Sequence, residues 1–202
     1  MMEGVATGSS EDFQHLLGLT SSQRFLNKEG LGNEVPFFIC PFDPKCSLAM
    51  GKLGKQLSNQ LEQKGIRVLE INLYDLSLEI LQKSGDLEWY LEHEQGMTKA
   101  ALRDDLQGIL DTHDVLIPAI AGKMSRNDFE VMFLTGVGEV FPYIRSHNVL
   151  NNLQSTAIDK PTVMFFPGRY THSAEKGASL DLFGRLQDDK YYRAFNIFDC
   201  EV

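Results

Sequence analysis

The segment Thr135-Gly136-Val137-Gly138-Glu139 has the spacing that most resembles a ligand-binding turn. It follows a predicted strand and precedes a predicted helix, where backbone amides and the helix dipole can hold an anion. A dinucleotide fingerprint would need a small residue where Phe141 stands, and a P-loop would need Gly-Lys-Ser/Thr. Glu139 also places a carboxylate where an anion would bind. The glycines therefore predict a tight strand-to-helix turn, with a degenerate nucleotide or phosphate site as the alternative.

Other short patterns resemble catalytic or phosphate-binding motifs but lack the required context. Gly51-Lys52 and Gly122-Lys123 are not followed by Ser or Thr, as a phosphate loop requires. Ser146 and His147 are adjacent on a predicted helix and point apart, so they do not form a nucleophile–base pair. Asp188-Asp189 is typical of an exposed turn, with paired catalytic carboxylates as the alternative.

The segment Asp111-Thr112-His113-Asp114 could begin a metal site. The other histidines show no ligand spacing with it, so the sequence favours a histidine at a helix C-terminus. No catalytic residue, metal site or cofactor is predicted from the residues.

Two groups of residues are candidates for binding. Arg and Tyr are enriched at interfaces and also suit phosphate or single strands, although they can equally pack over strand ends. Such residues in the last third are Arg145, Arg169, Tyr170, Arg185, Tyr191, Tyr192 and Arg193. The second group is acidic: Glu70 to Asp114 contains eleven Asp and Glu against three basic residues. A solvated helical face is the simple interpretation, and the alternative is a docking face for a basic partner at Glu88, Glu92 and Glu94.

The composition of the 202 residues excludes several classes of protein. A net charge of −9 disfavours broad nonspecific nucleic-acid binding. Cys40, Cys46 and Cys200 are an odd number without metal spacing, which predicts free thiols in a reducing compartment. No signal peptide is visible, and the apolar runs are shorter than the roughly 20 residues that span a bilayer. The sequence therefore predicts a soluble, cytoplasmic protein that does not bind membranes.

Hydrophobic periodicity predicts the elements that would position these residues. Residues 1–10 are predicted to be a loose leader before a single domain at 11–202, and Ser9 with Asp12 suggests a capping box at its start. Predicted strands are Val35–Cys40, Ile66–Leu73, Val115–Ala121, Glu130–Thr135, Pro161–Pro167 and Tyr192–Phe198. Pro36 indicates that the first of these strands either starts there or lies at an edge of the sheet. Predicted helices are 44–64, 74–113 with breaks near Gly85 and Gly96, 138–153 and 180–186.

Apolar strands separated by helices predict a single α/β domain. Its sheet is expected to be mostly parallel, with about five strands and helices on both faces. The arrangement would be Rossmann-like or P-loop-like without a functional phosphate loop.

Three segments together resemble a known family. They are GLGNEVPF at residues 30–37, FLTGVGEVFPYIRSH at 133–147 with LNNL at 150–153, and FGRL at 183–186 with DD at 188–189 and YYRAF at 191–195. Their order and spacing resemble the BrxB family of bacteriophage exclusion (BREX) defence systems, from about Phe13 to Ile197.

The resemblance implies a small cytoplasmic component of a multi-protein anti-phage system that marks host DNA by methylation and blocks replication of unmarked phage DNA. It further implies an accessory protein, rather than the methyltransferase or the ATPase, with a PglZ protein carrying an alkaline-phosphatase-like domain as its partner. We therefore expect a non-enzymatic assembly subunit whose partners are PglZ and other BREX components. A module that contacts DNA through the arginines of the last third is a further alternative, and the net charge disfavours it. The resemblance assigns no catalytic role to any position.

Overall fold

The computed structural model describes residues 4–29, 36–153, 156–157, 159–173, 177–184, 186–187 and 194–201. The helices in these residues are α1 (Ser10–Thr20), α2 (Gln23–Leu26), α3 (Ser47–Gln63), α4 (Leu73–Ser84), α5 (Asp86–His93), α6 (Lys99–Ile109), α7 (Ile117–Arg126) and α8 (Ser146–Leu153). The strands are β1 (Phe37–Phe42), β2 (Val68–Asn72), β3 (Val131–Thr135), β4 (Thr162–Ser173), β5 (Gly177–Leu182), β6 (Leu186–Gln187) and β7 (Phe195–Asn196).

The strands form one sheet in the order β2-β3-β4-β1-β7, and neighbours along this path are parallel. Beyond Pro167, β4 continues into an antiparallel ladder with β5, and β5 pairs with β6. The predicted α/β class and mostly parallel sheet are confirmed. The strand order differs from the doubly wound orders 3-2-1-4-5-6 and 2-1-3-4-5. As in those folds, a ligand site is expected in a crevice outside the carboxyl ends of the parallel strands.

Alternate residues of each central strand pack against opposite layers of helices. Phe38 of β1 and Phe133 of β3 pack with α1, α2 and α3 on one face. Ile39 and Leu134 pack with α4, α5, α7 and α8 on the other face. Because both faces are covered, the central strands β1 and β3 are almost entirely apolar, as parallel strands usually are.

The connections create a crevice at the carboxyl ends of the strands. After β1 the chain runs through α3 on one face to the far edge of the sheet at β2. It then steps back through β3 to β4 by way of helices on the other face. Of the adjacent strands β1 and β4, β1 is thus followed by a crossover through α3, whereas β4 continues into the antiparallel ladder with β5. In α/β sheets, a binding crevice opens where the connections of adjacent strands diverge in this way.

The predicted strand Val115–Ala121 is wrong, because these residues are helical. A π-helical segment, Thr112–Leu116, leads directly into α7, and Pro118 lies in the first turn of α7. A short apolar run does not distinguish a buried strand from a buried helix, and proline is well accommodated in a first helical turn.

The predicted helix 138–153 is wrong in its first half. α8 begins only at Ser146, and the preceding residues form turns that include a cis bond between Phe141 and Pro142. The predicted helix 180–186 is also wrong, because the described part of this segment contains the end of β5, a turn and the start of β6. Phe183 and Gly184 in that turn both have positive φ.

Of the two alternatives predicted from Pro36, the structure shows the first, since β1 begins directly after Pro36 and lies between β4 and β7 rather than at an edge. Pro41 is tolerated inside it because β7 pairs only with Phe38 and Ile39. The carbonyl of Pro41 accepts a hydrogen bond from the Ala6 amide at 2.8 Å. Ala6, within the predicted leader, is fully buried and forms a bridge with Phe42. The predicted capping box of Ser9 and Asp12 is confirmed.

Candidate functional site

A cleft of about 330 Å³ opens at the carboxyl ends of β1, β2, β3 and β4. Apolar parts of its lining come from Met50 on α3, Phe165 on β4 and Phe183 after β5. Polar parts come from the last residues of two strands, Asn72 and Thr135. A mostly apolar concave site with a few polar groups is typical of binding clefts.

Gly136 fits its position because it lies directly against the side chain of Asn72. Its φ of 72° belongs to the left-handed region, and a Cβ there would overlap Asn72 Oδ1. That oxygen accepts hydrogen bonds from the amides of Tyr74 at 2.8 Å and Asp75 at 3.2 Å, which caps α4. The turn after β3 and the start of α4 therefore depend on the same contact.

Gly138 lies against two other apolar groups of the cleft. A Cβ at this position would approach Pro167 Cγ at 2.8 Å and Phe183 Cε1 at 3.2 Å. The tight turn predicted at these glycines is present, but it leads into further turns and not into a helix. Because α8 begins at Ser146, the positive end of its dipole does not lie at Gly138.

The charges around the cleft disfavour a phosphate. Among the residues that the structure describes, the ionisable ones that line it are Lys55, Glu70 and Glu139, all exposed. The loop from β1 to α3 would carry the glycines of a phosphate loop, but its sequence is Asp43-Pro44-Lys45-Cys46. Asp43 Oδ1 accepts a hydrogen bond from the Lys45 amide at 3.0 Å. From the described lining of the cleft, a bound anion would thus meet two carboxylates and one ammonium.

Two further features of the cleft were not predicted from the sequence. Thr135 Oγ1 is buried and has no hydrogen-bond partner within the described residues. The wall formed by α3 is open, because a Cβ on Gly51 or Gly54 would have no heavy atom within 4 Å. Gly51 and Gly54 are three positions apart on a helix whose leucines face the core, and this spacing is the sequence signal that could have predicted the open wall.

Large apolar side chains are exposed at the same edge of the sheet. Leu48 in the first turn of α3 is 86% exposed, and Tyr74 in the first turn of α4 is 39% exposed. Phe183 in the lining of the cleft is also 39% exposed. Exposed apolar groups close to a concave site are typical of surfaces that bind other proteins.

The turns from Gly138 to Arg145 hold an aromatic cluster next to the cleft. Phe141 makes an edge contact with Phe183 at 6.2 Å between ring centroids. Arg145 Cζ lies 5.1 Å from the Phe141 centroid, a cation–π geometry. The Tyr143 hydroxyl donates to the Glu139 carbonyl at 3.3 Å, and burial, Tyr74 and Glu139 raise the pKa of Tyr143.

The remaining Arg and Tyr candidates do not gather in the cleft. Arg145 lines a separate polar cavity of about 450 Å³ together with Tyr143, which the sequence analysis did not single out. Arg169 is exposed on β4, where it is paired in register with Asp181 of β5. Tyr170 is buried and donates to the Ala194 carbonyl at 2.6 Å, and burial raises its pKa to about 12. The candidates Arg185, Tyr191, Tyr192 and Arg193 lie outside the described residues.

The acidic candidates lie on and just after α5, and all are exposed: Glu88, Glu92 and Glu94. Between them, Trp89 is 48% exposed and Leu91 is 64% exposed. The Trp89 ring stacks on His93, with 4.6 Å between centroids and 11° between planes. Buried Tyr90 anchors the helix in the core. We call Glu88, Trp89, Leu91, Glu92 and Glu94 the α5 face; the charge count revealed only its acidic part.

The other predicted motifs have structural roles. Asp111 Oδ1 accepts a hydrogen bond from the Asp114 amide at 2.7 Å, so it caps the π-helical segment. His113 was predicted to lie at a helix C-terminus, and this prediction is wrong because His113 lies near the start of the π-helical segment. Its Nδ1 is 2.6 Å from Asp114 Oδ1. In the described part of the chain, no group of three or more His, Cys, Asp and Glu side chains could hold a metal ion.

The three cysteines are free thiols, as predicted, and burial raises the pKa of Cys40. Among the residues that the structure covers, no helix has the length and apolar character needed to cross a membrane.

These features define the chain as an α/β protein with a mostly parallel sheet and a cleft at its strand ends. The family model described as "BREX protein BrxB" matches residues 69–197. A BREX protein BrxB of Bacillus cereus (strain H3081.97) is 36% identical over 199 residues, covering 94% of this chain and 97% of the relative. A BREX protein BrxB of Escherichia coli O9:H4 (strain HS) is 28% identical over 177 residues, covering 88% and 85%.

No solved structure gives a significant match to the chain. The chain belongs to the BrxB family, and the predicted resemblance is confirmed. It is therefore a protein of a BREX phage-defence system.

Proposed function

We propose that this protein is a non-enzymatic accessory subunit that docks a PglZ-family protein of the same BREX system. Family membership supports a role within a multi-component defence system. The observation that carries the docking role is the α5 face, where two large apolar side chains stand exposed between carboxylates.

The chemistry of the α5 face suits a protein partner. Tryptophan is among the residues most often found at interface hot spots, because it offers a large apolar area at little cost in side-chain entropy. The carboxylates of Glu88, Glu92 and Glu94 would direct a basic surface toward this helix and speed association. We therefore expect the partner to present a basic surface with an apolar recess that receives Trp89.

Co-expression with the PglZ protein of the same system tests the proposal. The wild-type chain should co-purify with PglZ, and the double variant Trp89→Ala/Leu91→Ala should lose at least tenfold in affinity. The triple variant Glu88→Lys/Glu92→Lys/Glu94→Lys should lose a similar amount, mainly through slower association. Wild-type binding should also weaken with rising ionic strength.

A matched control separates the α5 face from net charge. Glu11, Glu29 and Glu62 are exposed acids outside this face. Their replacement by Lys changes the net charge by the same amount and should leave binding unchanged. An equal loss of affinity in both triple variants would contradict docking through α5, and no complex with the wild-type chain would contradict the PglZ proposal.

The cleft supports a second candidate function, a degenerate nucleotide- or phosphate-binding domain. Its position at the carboxyl ends of parallel strands favours this function, whereas its carboxylates disfavour it. A nucleotide present at 100 times its dissociation constant would stabilise the fold by about 2.7 kcal/mol. Thermal unfolding with ATP, GTP or inorganic phosphate tests this. A shift that disappears in Gly54→Leu would favour the second function, and we expect no shift.

A further inference from the structure

We propose that the cleft receives an arginine side chain presented by the protein partner. This inference rests on the proposed docking function and adds a second contact, separate from the α5 face. The cleft differs from that face because it is concave and because four parallel strands and α3 build it.

The apolar lining suits the stem of an arginine. Met50 and Phe165 provide apolar surface against which methylene groups can pack. The exposed Phe183 ring offers a face on which a guanidinium can stack. The volume of about 330 Å³ lies at the lower end of the range for binding clefts, which fits one long side chain.

The two carboxylates of the cleft call for a donor that carries positive charge, and the Thr135 hydroxyl, which can donate or accept, can accept from the same donor. Thr135 Oγ1 is buried without a hydrogen-bond partner within the described residues, and such a group is costly to leave unpaired. Glu70 and Glu139 add acceptor oxygens with negative charge. A guanidinium carries five N–H donors and a fixed positive charge, so it satisfies both kinds of acceptor.

Alternative occupants fit these observations less well. A phosphate would place negative charge beside two carboxylates, with Lys55 as the one cation in the described lining to offset them. A purely apolar side chain would leave the Thr135 hydroxyl unpaired. A lysine supplies charge and donors, but its ammonium cannot stack on a ring as a planar guanidinium does.

Titration of the isolated chain with small probes tests the inference directly. N-acetyl-arginine amide should shift the backbone amide NMR signals of Gly136, Val137 and Gly138. N-acetyl-citrulline amide has nearly the same shape without the charge and should bind at least fivefold more weakly. Glu139→Gln and Thr135→Val should each weaken arginine binding severalfold. Stronger binding of N-acetyl-tryptophan amide, N-acetyl-lysine amide or inorganic phosphate would overturn the inference.

Filling the cleft provides the matched variant. Gly54→Leu should abolish probe binding, because its side chain would project into the open wall. Gly51→Leu fills the same wall from an exposed position and serves if Gly54→Leu does not fold. Gly108→Leu is the control, since Gly108 also lies in a helix with no atom near its Cβ position but outside the cleft. Retained arginine binding in both cleft-filling variants would also overturn the inference.

The complex with the partner distinguishes this inference from the proposed function. Gly54→Leu should weaken the complex at least tenfold, and Gly108→Leu should not. A complex that the α5 variants disrupt and the cleft-filling variants leave intact would overturn the arginine site and keep the docking proposal. If the wild-type chain forms no complex at all, the proposed function itself fails.

Discussion

The cleft and the α5 face are two kinds of surface on one domain. The cleft joins strands and a helix that are distant in sequence, and its shape depends on glycines packed against other side chains. The α5 face belongs mainly to one helix of eight residues, and its character depends on side chains that reach into solvent. The difference implies that substitutions in the cleft should affect folding and binding together, whereas substitutions on the α5 face should affect binding with only small changes in stability.

The largest expected effect on the free energy of unfolding comes from replacing a glycine with positive φ, compared at Gly136 in the cleft and at Gly85 beside α5. Gly136→Ala should lower the free energy of unfolding by about 3 kcal/mol, because it adds left-handed strain and displaces the Asn72 cap of α4. Gly85 next to α5 has φ 85° with no atom near its Cβ position, so Gly85→Ala should cost only about 1 kcal/mol. Urea unfolding measures both. Equal losses would show that the contact with Asn72 contributes nothing.

The open wall of the cleft predicts a stabilising change. Gly54→Ala should raise the free energy of unfolding by about 1 kcal/mol, because glycine is a poor helix former and the added methyl group meets no atom. Gly108→Ala in α6 should give a similar gain and serves as the reference. Urea unfolding of both variants checks this, and destabilisation by Gly54→Ala alone would mean that the wall is closed.

On the α5 face, a change in charge should separate stability from binding. Glu88 and Glu92 are four residues apart, so Glu92→Lys replaces a repulsive pair by an attractive one. We expect a gain of about 0.4 kcal/mol in the free energy of unfolding together with weaker binding of PglZ. Glu62→Lys on α3 has no acidic residue four positions before it and is the control. Loss of stability in Glu92→Lys would show that α5 carries a structural role beyond its exposed charges.

The smallest expected effect is a dependence on alkaline pH. The pKa of Tyr143 beside the cleft is raised above 10.0 by burial, Tyr74 and Glu139, and that of Tyr90 in α5 by burial, Asp105 and Asp86. Each tyrosine keeps its proton longer in the folded chain than in the unfolded chain. Its contribution to stability is therefore complete below pH 10 and is lost as the pH rises through the folded pKa.

Urea unfolding between pH 8 and pH 11 measures this loss. Tyr143→Phe and Tyr90→Phe should each flatten the decline relative to the wild-type chain, because the substituted residue no longer titrates. A decline unchanged by both substitutions would mean that other groups cause it.

The sequence predicted the elements whose signals are local. β2 and β3 follow from short runs of branched and apolar residues, α1 from the capping box at Ser9, and the end of α4 from Gly85. The predictions failed where local signals are ambiguous. Residues 115–121 form a continuous apolar run, which fits a buried strand and a buried helix equally well. The apolar spacing after Gly138 resembles that of a helix, although Pro142 interrupts it.

The candidate site was predicted in part. The segment around Gly136 and Gly138 was found from its spacing and does line the cleft. Thr135 was named as the first residue of that segment, but Asn72 and the wall at Gly54 were not singled out, because their shared location depends on strand order, which periodicity does not specify. Charge density identified the acidic residues of α5, but the exposure of Trp89 and Leu91 depends on how the helix lies on the core.

The amino-acid sequence by itself determined the α/β class, the acidic segment and membership of the BrxB family, because periodicity, charge and motif spacing are properties of the chain. Only the tertiary structure decided which strand ends meet and which large apolar side chains remain in solvent. These depend on contacts between residues far apart in sequence, such as Gly136 with Asn72 and Gly138 with Pro167. Such contacts form only when the crossovers place β3 between β2 and β4, so no local pattern records them.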